Sequence, residues 1–169
     1  PICGSNIVVD DEEVVIRCSG TYKCEAQIIG RLKHYVSRNA LDIEGLGDKQ
    51  INLLFKNGFV KKYSDIYLLK NKSNKIYSLE GWGELSFNNL VTAIEDKRRV
   101  SLSKLIYALG IRFVGEKNAK AISSVFKSTD QFIDVIAVKG GLSDEIIERM
   151  QNVDGLGPKA IDSLNEYLN

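Results

Sequence analysis

Apolar residues recur at fixed distances from a glycine at four places along the chain. With Gly47, Gly83, Gly115 and Gly157 as anchors, the copies follow one another at spacings of 36, 32 and 42 residues. Four residues before the anchor stand Ile43, Leu79, Ile111 and Val153, and one before it Leu46, Trp82, Val114 and Leu156. Four after it stand Ile51, Phe87, Ala119 and Ile161, and seven after it Leu54, Leu90, Ile122 and Leu164. The pair at four and seven is the buried stripe of an amphipathic helix that begins just after the glycine. Pro158 at the first helical position of the fourth copy fits that start. Asp48, Glu84 and Glu116 fill the same slot in the others, where a carboxylate suits the helix dipole.

Each copy also has a helix-like stretch in front of the turn. For the first it is the run after Cys24, for the third SLSKLIYALG, and for the fourth SDEIIERMQN with Ser143 as a candidate N-cap. Before the second copy, SDIYLLKNK is short and interrupted by NKSNK. Helix, Gly-hydrophobic-Gly turn, helix is the helix-hairpin-helix pattern. One such turn is a weak signal, because Gly-x-Gly before a helix also serves as a plain tight connection. Four in register form an internal repeat.

The first residues follow another pattern. Ile7–Val9 and Val14–Ile16 are β-branched runs around an acidic turn at Asp10–Glu13, which predicts a short β-hairpin. Cys3 precedes it, Cys18 closes it and Cys24 lies in the loop beyond. Three cysteines clustered in the first 24 residues, with no visible secretory signal, read as a metal site rather than a disulfide framework. His34, the single histidine, sits ten helical residues beyond Cys24, a rise of roughly 15 Å. It is therefore read as a helix-surface histidine, not a ligand. The chain opens at Pro1, and Cys-Pro-x-Cys-Gly is a common knuckle, so the expected fourth ligand is a cysteine immediately before Pro1. Four thiolates would make a structural zinc site with no open position for chemistry.

Composition changes this picture little. The chain has 169 residues, 44% of them hydrophobic and 27% charged, as in an ordinary soluble protein. No apolar run approaches the roughly 20 residues of a membrane span. The formal net charge of +1 means that any nucleic-acid surface must be local and geometric.

The repeated turn supplies such a geometry. The first N–H groups of a helix have no internal partner, and they carry a partial positive charge. Glycines before them admit a phosphate to the bare backbone. Contact of that kind reads no bases. Lys49, Lys117 and Lys159, two residues past the anchor, would strengthen it. The expected DNA-binding set is therefore Gly45, Gly47, Lys49, Gly81, Gly83, Gly115, Lys117, Gly155, Gly157 and Lys159. Two departures matter. The third copy has Phe113 where the others have Gly45, Gly81 and Gly155, which should restrict backbone approach and weights that copy towards packing. The second has Leu85 in place of the lysine. Lys97, Arg98, Arg99 and Lys104 between copies two and three are further candidates, as are Arg31, Lys33 and Arg38.

The expected fold class is mainly α: four helix-hairpin-helix motifs packed as two pseudo-symmetric pairs, preceded by a small β-hairpin zinc-finger module. Residues 1–38 are expected to form the zinc module and its connecting helix, and residues 39–169 the four-copy DNA-binding domain.

A cysteine zinc module followed by four such motifs resembles the C-terminal half of the bacterial NAD-dependent DNA ligases. CEAQIIGRLKHYVSRNALDIEGLGDKQI is similar to that family's junction between zinc module and first hairpin, and LIYALGIRFVGEKNAKAI to its third hairpin. The resemblance implies zinc on Cys3, Cys18 and Cys24, and DNA-backbone contacts along Gly45, Gly47, Gly81, Gly83, Gly155 and Gly157. It further implies a cytoplasmic, nucleoid-associated bacterial parent that seals nicked double-stranded DNA. The family's AMP-accepting lysine stands in a Lys-x-Asp-Gly motif, which this sequence does not contain. NAD would be used by that adenylation domain, with which this segment and an OB-fold would cooperate. Having no nucleophile-and-base constellation, the chain is expected to bind DNA, as a monomer, and not to catalyse alone. The alternatives are a helix-hairpin-helix module of another DNA-repair protein, or a protein-interaction scaffold.

Overall fold

The computed structural model describes residues 1–9, 15–137 and 140–169. Two short antiparallel strands, β1 (Ile7–Val9) and β2 (Ile16–Cys18), pair in the register Ile7 to Cys18, Val8 to Arg17 and Val9 to Ile16. The second strand thus ends at Cys18, two residues later than the β-branched run suggests. The acidic turn and Val14 lie outside the described residues. A 3-10 turn at Thr21–Lys23 then delivers the chain to helix α1 (Glu25–Val36).

Nine further helices follow among the described residues. They are α2 (Asp48–Lys56), α3 (Tyr63–Ile66), α4 (Ser73–Ile76), α5 (Glu84–Asp96), α6 (Leu102–Ala108), α7 (Glu116–Val125), α8 (Thr129–Ala137), α9 (Asp144–Gln151) and α10 (Pro158–Leu168). None is long and apolar enough to cross a membrane. The interrupted stretch before the second copy folds as α3, a 3-10 segment at Leu69–Lys72, and α4.

The chain divides into two compact units. One comprises Pro1–Arg38 and Asp42–Arg98; the other comprises Asn39–Leu41 and Arg99–Asn169. Copies one and two of the repeat fall in the first unit, copies three and four in the second.

In the first unit the stripe residues Ile51, Leu54, Phe87 and Leu90 are buried. Each fully buried aliphatic or aromatic side chain contributes about 1.5–3 kcal/mol. Tyr35 stacks on Tyr63 at 4.3 Å between ring centroids, and Trp82 and Tyr77 both meet Phe87 edge-on. In the second unit Ala119, Ile122, Ile161 and Leu164 join one core cluster with Phe132 and Met150. Arg149 donates to the Val125 carbonyl, and the Leu142 N–H donates to Asn165 Oδ1 at 2.7 Å. Of the sixteen aligned positions only Leu79, Trp82 and Val153 are half-buried; the rest are buried.

Candidate nucleic-acid interface and metal centre

The four aligned turns have one hydrogen-bonding scheme. The N–H of the residue before the anchor donates to the carbonyl three residues back: Leu46 to Ile43, Trp82 to Leu79, Val114 to Ile111 and Leu156 to Val153. Of the two residues between them, the second takes a positive φ, as in a type II turn: Gly45, Gly81 and Gly155 do so at 88°, 81° and 77°. Phe113 does so too, at 60°. A bulky side chain in the left-handed region costs about 1–2 kcal/mol, so the turn is imposed on the third copy by its packing. The sequence marks Phe113 as an exception; its backbone is not one.

The anchor glycines are different. Gly47, Gly83, Gly115 and Gly157 have φ of −71°, −135°, −75° and −76°, extended conformations open to any residue. A Cβ on Gly83, Gly115 or Gly157 would meet nothing within 4 Å, and one on Gly47 only the Gln50 Oε1 at 3.3 Å. Neither backbone conformation nor internal packing requires glycine here. What its absence of a side chain provides is open space above the helix start.

α2, α5, α7 and α10 begin on the residue after their anchor, as the periodicity predicts. No side chain of the N-cap residue closes any of these four starts. The leading helices of copies three and four are built otherwise. Ser101 Oγ accepts from the Lys104 N–H at the start of α6, and Ser143 Oγ from the Ile146 N–H at the start of α9. Serine N-caps thus close these leading helices, and glycine stands at the start of the second helix in every copy; at α5 alone the Gly83 N–H donates to Ser86 Oγ, at 3.0 Å. The fourth copy has fewest open amides. Pro158 carries no N–H, and the Ala160 N–H donates to the Gly157 carbonyl at 3.1 Å.

Gly45, Gly47, Gly81, Gly83, Gly115, Gly155 and Gly157 are all exposed, as are Lys49, Lys117 and Lys159. Leu85, in the lysine slot of copy two, is 76% exposed. Within the second unit the lysine slots cross over. Lys117 Nζ lies 3.6 Å from where a Cβ on Gly155 would be, and Lys159 Nζ lies 5.8 Å from the centre of the Phe113 ring. The lysine of each copy therefore reaches the first turn position of the other. Arg112 also stacks on the Phe113 ring, at 4.4 Å. This exchange joins residues about forty apart, and no local pattern in the sequence announces it.

Several secondary candidates are engaged within the protein. Arg98 Nε lies 2.5 Å from Glu95, which also holds Lys70 at 3.2 Å. The hydrogen bond from Arg98, with that from Lys70, holds the Glu95 carboxyl below its ordinary range. Lys97 pairs with Asp42 at 3.5 Å and Lys33 with Asp48 at 2.9 Å, and Arg31 stacks on Tyr22 at 4.4 Å.

At the other end of the first unit, β2, the 3-10 turn and the start of α1 bring Cys3, Cys18 and Cys24 together, with their three Sγ atoms within 4.8 Å of one another. Cys3 and Cys18 Sγ lie 3.4 Å apart. Ligands at tetrahedral angles and 2.3 Å from a zinc ion would be roughly 3.8 Å apart, so the donors fit three corners of such a site. The Cys3 thiol is drawn down to about 6, chiefly by a hydrogen bond from the Ser5 side chain, then by the Ser5 backbone and the other two thiols. Thiolate is the metal-binding form of cysteine. Gly20 packs the cluster closely: a Cβ there would lie 2.9 Å from Cys3 Sγ. Among the described residues His34 is not in this group.

A family model described as a helix-hairpin-helix motif matches residues 104–169, the stretch that holds copies three and four. The DNA ligase of Rhodopseudomonas palustris (strain BisA53) is 43% identical over 176 aligned residues, covering 99% of this chain and 25% of the ligase. The DNA ligase of Rickettsia canadensis (strain McKiel) is 41% identical over 172 residues, with the same coverage. That of Nitrobacter hamburgensis is 41% identical over 176 residues, again covering 99% and 25%. The chain spans about a quarter of the length of these relatives.

Proposed function

We propose, for a chain whose likeness to DNA ligases extends over 99% of its length, that it is the DNA-gripping segment of such a ligase. The observation that carries this reading is the contrast between capped and open helix starts. Serine caps α6 and α9, whereas glycine leaves α7 and α10 uncapped with open space above them and α2 uncapped with only Gln50 near; at α5 the Gly83 N–H donates to Ser86 Oγ. A phosphodiester is the ligand that such a start accepts. Contacts of this type bind duplex DNA without reading its sequence.

The copies act in pairs, one and two in the first unit, three and four in the second. The crossover of Lys117 and Lys159 supports the second pair, and the approach of Gly45 to Leu90 of copy two, 3.5 Å from a Cβ position, supports the first. Two hairpins related in this way would meet the two strands of one duplex. The Cys3, Cys18 and Cys24 cluster takes a structural zinc ion that fixes the start of α1. Residues 1–38 are its module, and residues 39–169 the part that meets DNA. The segment holds nicked DNA for joining by adenylation and OB domains elsewhere in the parent, where NAD is consumed. Remote backbone contacts of this kind position the reacting ends.

Fluorescence anisotropy with nicked and intact duplexes of unrelated sequence, at several salt concentrations, tests the reading. Salt-sensitive binding that ignores sequence is expected. Absence of binding at low salt by the folded protein would overturn it in favour of a scaffold.

A further inference from the structure

The three corners of the cysteine cluster are not held alike. Cys18 ends β2, where it pairs with Ile7, and its sulfur accepts from the Gly20 N–H at 3.3 Å. The Gln27 side chain, on α1, donates to the Cys18 carbonyl at 2.9 Å. Cys24 is buried directly before α1. Cys3 belongs to no helix or strand and is only half-buried. What fixes it is Ser5. The Ser5 hydroxyl and the Ser5 N–H both donate to the Cys3 sulfur. Gly4, between them, has a φ of 66°, a left-handed bend that glycine takes freely. Gly20 leaves room for this arrangement. A Cβ on Gly20 would stand 2.8 Å from Ser5 Oγ, 2.9 Å from Cys3 Sγ and 3.0 Å from the Cys24 Cβ. Hydroxyl and sulfur thus meet over a buried glycine, against the third cysteine.

We infer that Ser5 is a positioning residue of the metal centre, whose hydroxyl orients the Cys3 sulfur towards the ion and tightens metal binding. The inference rests on the zinc reading of the cluster and adds a residue that is not a ligand. A metal-bound thiolate keeps lone pairs that accept hydrogen bonds, and outer-shell donors of this kind orient a ligand and moderate its charge. That matters most where three sulfurs lie within 4.8 Å of one another. Cys18 has its donor from the backbone, whereas Cys3 has one from a side chain as well. Orientation can therefore be separated from ligation at this corner. Ser5→Ala deletes the hydroxyl and leaves all three sulfurs and the Ser5 N–H in place.

The test titrates zinc and cobalt into the reduced protein, with the unaltered chain beside Ser5→Ala and Ser5→Thr. Zinc affinity is read by competition with a chromophoric chelator, the cobalt form by its absorption, and thermal melting checks each fold. Ser5→Ala is expected to lose roughly 10–100-fold in zinc affinity, the usual cost of removing an outer-shell partner. Its sulfur-to-cobalt charge-transfer band is expected to move to lower energy, because a sulfur without its donor gives up charge more readily. Ser5→Thr keeps a hydroxyl and should restore both. Unchanged affinity and an unmoved band in Ser5→Ala would overturn the inference and leave the metal reading intact. A weakened affinity with an unmoved band, or a loss that threonine does not restore, would make Ser5 a packing residue and overturn it too. Absence of zinc and cobalt uptake by the unaltered protein overturns both readings.

Discussion

Lys159, on the first turn of α10, holds its ammonium 5.8 Å from the centre of the Phe113 ring, in a turn belonging to a different copy of the repeat. Phe113 keeps a φ of 60° in that position, where the other copies have glycine. Its ring packs partly buried against the core cluster of the second unit. Ring contacts therefore hold a backbone conformation that the residue disfavours. The two effects separate on substitution. Phe113→Ala removes the ring and keeps the strain, while Phe113→Gly removes both. Phe113→Gly should be the more stable of the two variants by about 1 kcal/mol, although glycine ordinarily weakens a fold relative to alanine. Urea melts of the pair decide it, and an alanine variant equal to or above the glycine variant would show that the turn is unstrained.

The anchor glycines allow a substitution that divides stability from binding. Serine is at least as good an N-cap as glycine, and a Cβ at Gly83 or Gly157 meets nothing. Gly83→Ser and Gly157→Ser should leave the melting temperature unchanged or slightly raised. Both should weaken duplex binding several-fold, because a side chain now stands where the phosphate would approach. Full affinity in both variants would remove the reason for glycine at these sites.

The first glycine of each turn should behave in the opposite way. Gly81 has a φ of 81° and open space around it, so Gly81→Ala strains the backbone without a clash. A loss of about 1 kcal/mol is expected. By the same logic Gly115→Ala, at an ordinary φ with nothing near, should cost less than Gly81→Ala. The reversed order in denaturant melts would contradict the division between the two positions.

Zinc should bind the cysteine cluster one to one. Cobalt in its place should give the visible absorption of a thiolate-rich tetrahedral site, and Cys18→Ser should abolish both. Hydrogen exchange should show the metal protecting the Ser19 and Gly20 amides, which donate to the Asn6 carbonyl and to Cys18 Sγ. Protection along α7 and α10 should not change. If zinc failed to alter exchange near Ser19, the cluster would be three neighbouring thiols and no more.

An alkaline transition should be traceable to one tyrosine. Burial pushes the Tyr63 phenol up to about 12 from its ordinary 10. A raised folded value means that the unfolded chain ionises first. The stability this provides is complete below pH 10 and is lost as pH rises from about 10 to about 12. The size is on the order of 1 kcal/mol, allowing for partial exposure. Tyr63→Phe keeps the stack on Tyr35 and should flatten stability between pH 10 and 12. An identical alkaline decline in that variant would place its origin elsewhere.

The second helix of every hairpin was legible in the sequence because its determinants are local. Glycine, the three- and four-residue apolar spacing, and Pro158 all act within one turn of the helix they start. The cysteine cluster was legible from composition, although the exact end of β2 was not, since a three-residue strand has too few side chains to fix its register. The segment before copy two gave no clear period and folds as three short pieces. What the pattern could not reveal depends on distant partners: the φ of Phe113 and the crossing of Lys117 and Lys159. The pairing of Lys97 and Arg98 with Asp42 and Glu95 likewise needed the fold; from the sequence they were simply a run of positive charge.

The slot two residues past each anchor is exposed in every copy and holds Lys49, Leu85, Lys117 and Lys159. The positions that build each hairpin lie at other places in the repeat and face inward. The exposed slot and the buried stripe are therefore separate columns of the same repeat. The slot can change by one surface substitution without retuning the core, although in the second unit Lys117 and Lys159 each reach the turn of the other copy. A duplicated motif of this kind can diversify its copies one at a time, and the leucine of the second copy is already an instance.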